Sequence, residues 1–456
     1  MAGVTPRPLR IPSNWCVIRQ IRMELSQAGL VAPLNVGVPV PAVKRIGYLI
    51  PEFPGQTHIF FWRERQALHE LGIEADLVST RSPPQRIVSH SWSERAIAET
   101  EYLYPVGLEQ MVAMLRGVAR AFPSRIGRCL NSIRGAEGVE GAARFRLFAL
   151  ALAGARVAEL ARRRGWLHLH AHSCADSAHV ALFAHLLAGL PYSITLHGPL
   201  ADYGPNQRQK WRHAAFAVVI TNQLRQEVQR ELSGDLPPVI EVAPMGVDTA
   251  KFRRRLAYRP WRGEGPLHLF TCARLNFVKG HRFLIDAVAA LRAKGLDARL
   301  AIAGEDEAGG TAYRRTLEAA IAELRLGEAV TLLGAVSEER VHEELEGAHV
   351  FALASLAEPL GVAIMEAMAM EVPVVATRLG GVPELVNEGR DGLLVAPERS
   401  DLLAGAIERV ARDPELAEGL AVAGRRKVEE SFQSTRSAAV LARHLRSAAD
   451  SDQQPA

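Results

Sequence analysis

The sequence has few cysteines, and they are scattered. Cys16, Cys129, Cys174 and Cys272 stand far apart, with no C-x-x-C pair among them. That spacing excludes zinc ribbons and thioredoxin-type redox sites. It makes a reducing cytosol the expected home. Long apolar runs are missing too. No stretch reaches the ~18 apolar residues that read as a transmembrane helix. The longest, Leu147 to Ala155 and Ala178 to Pro191, are shorter, and the second holds His179 and His185. Met1 to Arg10 leads into no clean apolar segment, because Arg19 and Arg22 interrupt it, so no signal peptide is expected. Low-complexity tracts and fixed-period repeats are absent. So are zinc-finger spacings and RNP-like aromatic strands, and nucleic acid is not an expected partner.

What is present is ordinary globular material. The 456 residues are 48% apolar and 23% charged, which excludes a disordered chain, a collagen or a coiled coil. At roughly 150 residues per domain, that length holds two or three domains. The net charge of +4 is uneven. Residues 1–250 carry 27 Lys and Arg against 20 Asp and Glu, a balance of +7; the rest carry 27 against 30, a balance of −3. A basic first half suits an anionic membrane or an acidic acceptor.

Residues 1–43 contain six prolines and no sustained period, and read as a weakly ordered extension with a short helix around Val17 to Gln27. Arg45 to Ile50 then reads as a buried strand. Thr57 can cap a helix whose apolar positions Ile59, Trp62, Leu68 and Leu71 follow helical spacing, with Gly72 ending it. Ala75 to Thr80 is a second strand, which completes a βαβ unit. Gly107 to Arg164 is helical and Arg-rich: Arg116, Arg120, Arg125, Arg128 and Arg134 interleave with Met111, Met114, Leu115 and Val118. It has two readings, a membrane-surface patch or a solvated face whose Arg stems lie over the core. Strands follow at Leu167–His172, Tyr192–Leu196, Phe216–Thr221 and Val239–Ala243. Tyr258 to Gly265 mixes Pro, Gly and charge as a linker would. A second series alternates strands at Leu269–Ala273, Ala298–Ala303, Val330–Leu333, Val350–Leu353 and Val372–Ala376 with helices at His281–Ala293 and Tyr313–Leu324. Two such series predict an α/β protein with two parallel sheets.

Ligands of open parallel sheets sit beyond the carboxyl ends of the strands. The segment Ala357 to Ala367 follows one such end. Pro359 suits a first helical turn with Glu358 before it, leaving the N–H groups of Leu360, Gly361 and Val362 at a helix N-terminus that can hold an anion. Glu358 and Glu366, eight residues apart, would be about 12 Å apart along a helix and could meet hydroxyls at both ends of a nucleotide diphosphate sugar. The plainer reading is one capping and one exposed glutamate. Arg274 and Lys279 follow another strand, where two cations can offset charge growing on a leaving phosphate. His197-Gly198 sits at a strand end. His170 and His172 share one sheet face, but no third ligand is evident, so zinc is not expected. Gly380, Gly381 and Glu384 form a tight turn or shape the pocket, and Gly334 to Val336 could border a base. The only D-x-D, Asp450-Ser451-Asp452, lies in a polar tail.

Glu358-x7-Glu366, the following Val372 to Val386, Arg274…Lys279-Gly280, Ile194 to Gly198 and Pro244 to Asp248 together resemble the family-4 retaining glycosyltransferases of GT-B fold. The resemblance spans roughly residues 190–395. Met245 departs from it where Asn is usual, Glu371 where a small residue is usual, and Gly304 to Glu307 is more acidic than usual. It implies two Rossmann-like domains facing across a cleft: an acceptor domain at 44–244, a linker at 245–266, a donor domain at 267–432, and a helix in 433–456 that returns to the first domain. It implies a sugar moved from a UDP- or GDP-linked donor to an acceptor hydroxyl, with retention, in polysaccharide or glycolipid synthesis. Arg274 and Lys279 would hold the diphosphate, Glu358 the transferred sugar and Glu366 the ribose diol, with Leu360, Gly361 and Val362 at the donor. His197 would face the reacting sugar. The acceptor would meet Gly55, Gln56 and Thr57 and be a saccharide or lipid-linked, at the inner face of the cell membrane. No metal and no cofactor are expected, since Arg274, Lys279 and a helix N-terminus can stand in for Mg²⁺. Two rivals stay open, a nucleotide-sugar epimerase of the same architecture and a non-catalytic binding module.

Overall fold

The computed structural model describes residues 45–55, 58–83, 91–306 and 311–451. The expectations for residues 1–43, and for Gln56 and Thr57, lie outside them. The first sheet has seven strands: β1 Arg45–Glu52, β2 Glu74–Arg81, β3 Glu101–Tyr102, β4 Leu169–His172, β5 Tyr192–Leu196, β6 Phe216–Val219 and β7 Ile240–Val242. Their order is β3-β2-β1-β4-β5-β6-β7. The second sheet has six: β8 Leu267–Cys272, β9 Ala298–Ala303, β10 Val330–Gly334, β11 Val350–Leu353, β12 Val374–Thr377 and β13 Leu393–Val395, ordered β10-β9-β8-β11-β12-β13. Every pairing is parallel. The short edge strands β3 and β13 gave no readable run in the sequence.

Both sheets are doubly wound, and each reverses its order at one point, β1/β4 in the first and β8/β11 in the second. Loops at such a point diverge and leave a crevice. The strands between are buried on both faces: Ile46, Tyr48, Leu49 and Ile50 in β1, and all of β11, are almost fully buried. Continuous apolar runs of this kind are what helices on both faces demand.

The Arg-rich stretch forms three helices, Leu108–Arg120, Pro123–Arg134 and Ala142–Arg164. The last helix, Ser434–Ser451, lies on the first domain, where Ala438, Leu441, Ala442 and Leu445 join Tyr48, Ile50 and Phe61 in one core cluster. The chain therefore crosses between domains twice, and the crossings are stitched together. Val247 N–H donates to Phe432 O at 2.9 Å, and Ser434 N–H to Val247 O at 3.1 Å. The stretch after the first crossing is packed against the second domain: Arg254 donates to the carbonyls of Leu345, Glu346 and Met370, and Tyr258 to that of His349.

Candidate active site

Loops from the carboxyl ends of both sheets enclose a cavity of about 940 Å³. Gly55, His58 and His197 line it from the first domain. Arg274, Lys279, Glu358, Leu360, Gly361 and Val362 line it from the second. Residues separated by as many as 307 positions thus meet in one space, because both switch points open into it.

The Arg274–Lys279 loop is anchored at both ends. His281 Nε2 lies 3.1 Å from Arg274 O, and Leu356 N–H donates to Val278 O at 2.7 Å. Lys279 Nζ reaches Glu358 Oε2 at 2.7 Å, and Ser355 Oγ donates to the same oxygen at 3.2 Å. The backbone of Glu358 is held from behind by the turn at Gly380-Gly381. Gly381 N–H donates to Glu358 O at 3.1 Å. A Cβ on Gly380 would lie 2.1 Å from Glu358 O, and one on Gly381 2.0 Å from Pro359 O. These glycines are required by close backbone approach. Glu384 faces the first domain, where its carboxylate accepts from the N–H groups of Asn222 and Gln223 at 2.8 Å each.

The helix after Glu358 starts later than Pro359. It runs Val362–Ala369, with Gly361 as N-cap at φ 104°. Pro359 and Leu360 are outside it, so the free amides at its N-terminus begin at Val362 and Ala363. Ile364 and Met365 N–H already bond Gly361 O. Glu358 is therefore not on the same helix as Glu366, and the 12 Å spacing along one axis does not apply. The glycine, able to take positive φ without a Cβ penalty, sets the start.

Glu366 does not line the cavity. It is buried, and Arg63 Nη2 of the first domain donates to it at 3.0 Å and to Glu338 at 2.6 Å. Lys251 pairs with Glu338, and the Arg63 guanidinium sits 5.0 Å from the Phe252 ring centroid. Burial raises the Glu366 pKa more than Arg63 lowers it. Burial also pushes Glu338 up, but Arg63 and Lys251 beside it carry it below the usual value. Arg63 gave no signal in the sequence, because its partners lie 275 and 303 residues away.

His197 rests on Phe60, Phe61 and His172. Burial brings its pKa, and that of His172, down to about 3, so both rings are neutral near pH 7. The third group that the sequence did not reveal beside His170 and His172 is Glu64, on the helix Ile59–Glu70. One ligand atom of each lies within 4.8 Å of the others. Composition alone would suit a metal. These atoms are already committed, however: His170 bonds Ser193 and Thr195, and Glu64 accepts from Tyr48 at 2.6 Å. The cluster is a hydrogen-bonded network behind His197.

Residues 260–427 match the family model of glycosyl transferases group 1. The alpha-maltose-1-phosphate synthase of Mycolicibacterium smegmatis is 30% identical over 312 residues, 58% of this chain and 74% of that protein. The alpha-D-kanosaminyltransferase of Streptomyces kanamyceticus is 29% identical over 286 residues, 57% of this chain and 72% of that one. Among solved structures, sucrose-phosphate synthase from Thermosynechococcus elongatus superposes with a TM-score of 0.67 at 20% identity, covering 90% of this chain and all of that one. HepE of Anabaena, solved with UDP-glucose, gives 0.63 at 18% identity, covering 89% and 99%. These likenesses show the two-domain GT-B fold.

Proposed function

The chain belongs to the glycosyl transferases group 1 family and is a glycosyltransferase, and we propose that it moves a sugar from a UDP- or GDP-linked donor to an acceptor hydroxyl with retention of anomeric configuration. One observation carries this reading: His197 and Gly55 of one domain and Arg274, Lys279, Glu358 and the Val362 amide of the other line a single cavity.

The donor's diphosphate would lie between Arg274, Lys279 and the amides that open the Val362–Ala369 helix. Anions are favoured there by unpaired N–H groups and the helix dipole. Lys279 would exchange its bond to Glu358 for one to phosphate, which frees Glu358 for the sugar's hydroxyls. Glu366 would reach the ribose diol by releasing Arg63. As the sugar–phosphate bond breaks, charge grows on the leaving phosphate, and Arg274 and Lys279 are placed to stabilise it. Attack from the same face lets that phosphate take the acceptor's proton, so no metal, cofactor or enzymic nucleophile enters the reaction.

The acceptor would be a saccharide or a lipid-linked intermediate, reached from the inner face of the cell membrane. No described helix is long and apolar enough to cross a bilayer. A surface suited to lie on one exists. Gly117 touches Ala155 and Arg120 pairs with Glu159, which sets the helices Leu108–Arg120 and Ala142–Arg164 side by side. At that register Leu108, Met111 and Leu115 come level with Phe145, Phe148 and Leu152, all exposed. Arg116, Arg120 and Arg146 flank them. Apolar ridges with arginine at the edges fit an anionic bilayer surface. Arg146 pairs with Asp176, three residues beyond the cavity-lining Ser173, so the patch borders the acceptor side.

The test is product formation from UDP- and GDP-sugars with polyprenyl-linked saccharides, the anomeric configuration being read by NMR. Transfer with retention is expected. Isomerised donor without any acceptor would point to the epimerase, and an inert, nucleotide-blind protein to a binding module.

A further inference from the structure

Behind His197 runs a chain of polar groups that reaches no solvent and serves no obvious packing need. Tyr48 Oη donates to Glu64 Oε2 at 2.6 Å. The same carboxylate oxygen lies 3.2 Å from His172 Nε2, in an angled contact. His172 Nδ1 lies 3.0 Å from His197 Nε2. His197 Nδ1 is buried and has no partner in the protein, while its ring lines the cavity.

A neutral imidazole carries one proton, so each link constrains the next. Both rings are neutral, as burial requires. Glu64 Oε2, already accepting from Tyr48, calls for a proton on His172 Nε2. His172 Nδ1 is then bare and can only accept, which puts the His197 proton on Nε2. The His197 atom left over is a lone pair at Nδ1.

We infer that Glu64 and His172 are positioning residues that fix the tautomer of His197, so that Nδ1 meets a substrate hydroxyl as a hydrogen-bond acceptor. The inference rests on the reading of the cavity as the transfer site. It adds which atom of His197 acts and which residues set it. A hydroxyl at this point of the substrate would supply the buried Nδ1 with the bond it lacks, and a group unable to donate would leave it unpaired. The other titratable groups facing these rings are His58 beside His197, His170 beside His172, and Arg65 beside Tyr48. None of them interrupts the order of donors.

Imidazole ¹⁵N shifts of the histidine-labelled full-length protein, with His197 assigned by comparison with His197→Asn, test this directly. The wild type should show His197 protonated at Nε2 and bare at Nδ1. Glu64→Met should give mixed tautomers and a kcat lower by roughly ten-fold or more, the scale of one buried hydrogen bond left unmade, with donor Kd unchanged. Glu64→Gln, whose carbonyl can still accept from His172, should restore most of both. A wild-type proton on Nδ1, or an unchanged tautomer and kcat in Glu64→Met, would overturn the inference. If Glu64→Met does not fold, the wild-type spectrum alone decides. Because the tautomer is read without turnover, a failure here is distinct from a failure to find any transferase activity.

Discussion

Arg63 of the first domain and Glu366 of the second form a buried ion pair across the domain boundary, 3.0 Å apart, with Glu338 on the same guanidinium nitrogen. The pair ties the helix Ile59–Glu70, which also carries Glu64, to the helix that follows the donor loop. Arg63→Met would leave two carboxylates buried without a cation. That should cost about 3–5 kcal/mol, seen as a lowered urea midpoint. Adding Glu366→Gln should recover part of the loss. A cost below about 1 kcal/mol would show that the pair is not buried in solution.

The turn at Gly380-Gly381 supports Glu358 with no room to spare. Gly380→Ala should push the Glu358 carbonyl away and displace the carboxylate paired with Lys279. A displacement near 1 Å can cost about 10²-fold in rate. The expected result is a folded protein with kcat/KM lower by about that factor. Unchanged kcat/KM would mean that Glu358 does not depend on this contact.

Acid should destabilise the protein before its carboxylates titrate. His168, His172 and His197 have folded pKa values of about 3, and His170 lies well below its usual 6.5, all through burial. Their folded pKa lies below the unfolded one, so their stabilising contribution is complete above about pH 6.5 and is lost as pH falls. Each such histidine contributes a slope of up to about 1.4 kcal/mol per pH unit. Denaturation at pH 7.5, 6.0 and 5.0 should show stability falling over that window. A flat profile would require these rings to be protonated in the fold.

The helix ridges should bind anionic vesicles. Leu115→Glu with Phe145→Glu should reduce the co-floating fraction at least about ten-fold at low salt. The wild type should also lose part of its binding at high salt as the arginine contribution is screened. Absence of wild-type flotation at low salt would remove the membrane from the account.

Much of this was readable from the residues. The helix His281–Ala293 and the strands Ala298–Ala303 and Val350–Leu353 have the expected bounds, because buried parallel strands are unbroken apolar runs and their helices carry a clear period. The cations Arg274 and Lys279 were legible as well, since they follow such a strand. The helix start was not. Pro359 is a sound first-turn residue, but the backbone of Glu358-Pro359 is held by a turn some twenty residues later, and Gly361 begins the helix instead. Arg63 and Glu64 were also unreadable. A sequence shows spacing along the chain, and the partners of these two residues come from other elements and, for Arg63, from the other domain.

The central claim is that the cavity between the domains is a nucleotide-sugar site built on Lys279. Calorimetric titration of UDP, GDP and ADP into the wild type and into Lys279→Ala tests it most directly. One of the nucleotides should bind the wild type tightly and lose that binding in Lys279→Ala. A folded wild type that binds none of them would contradict the account.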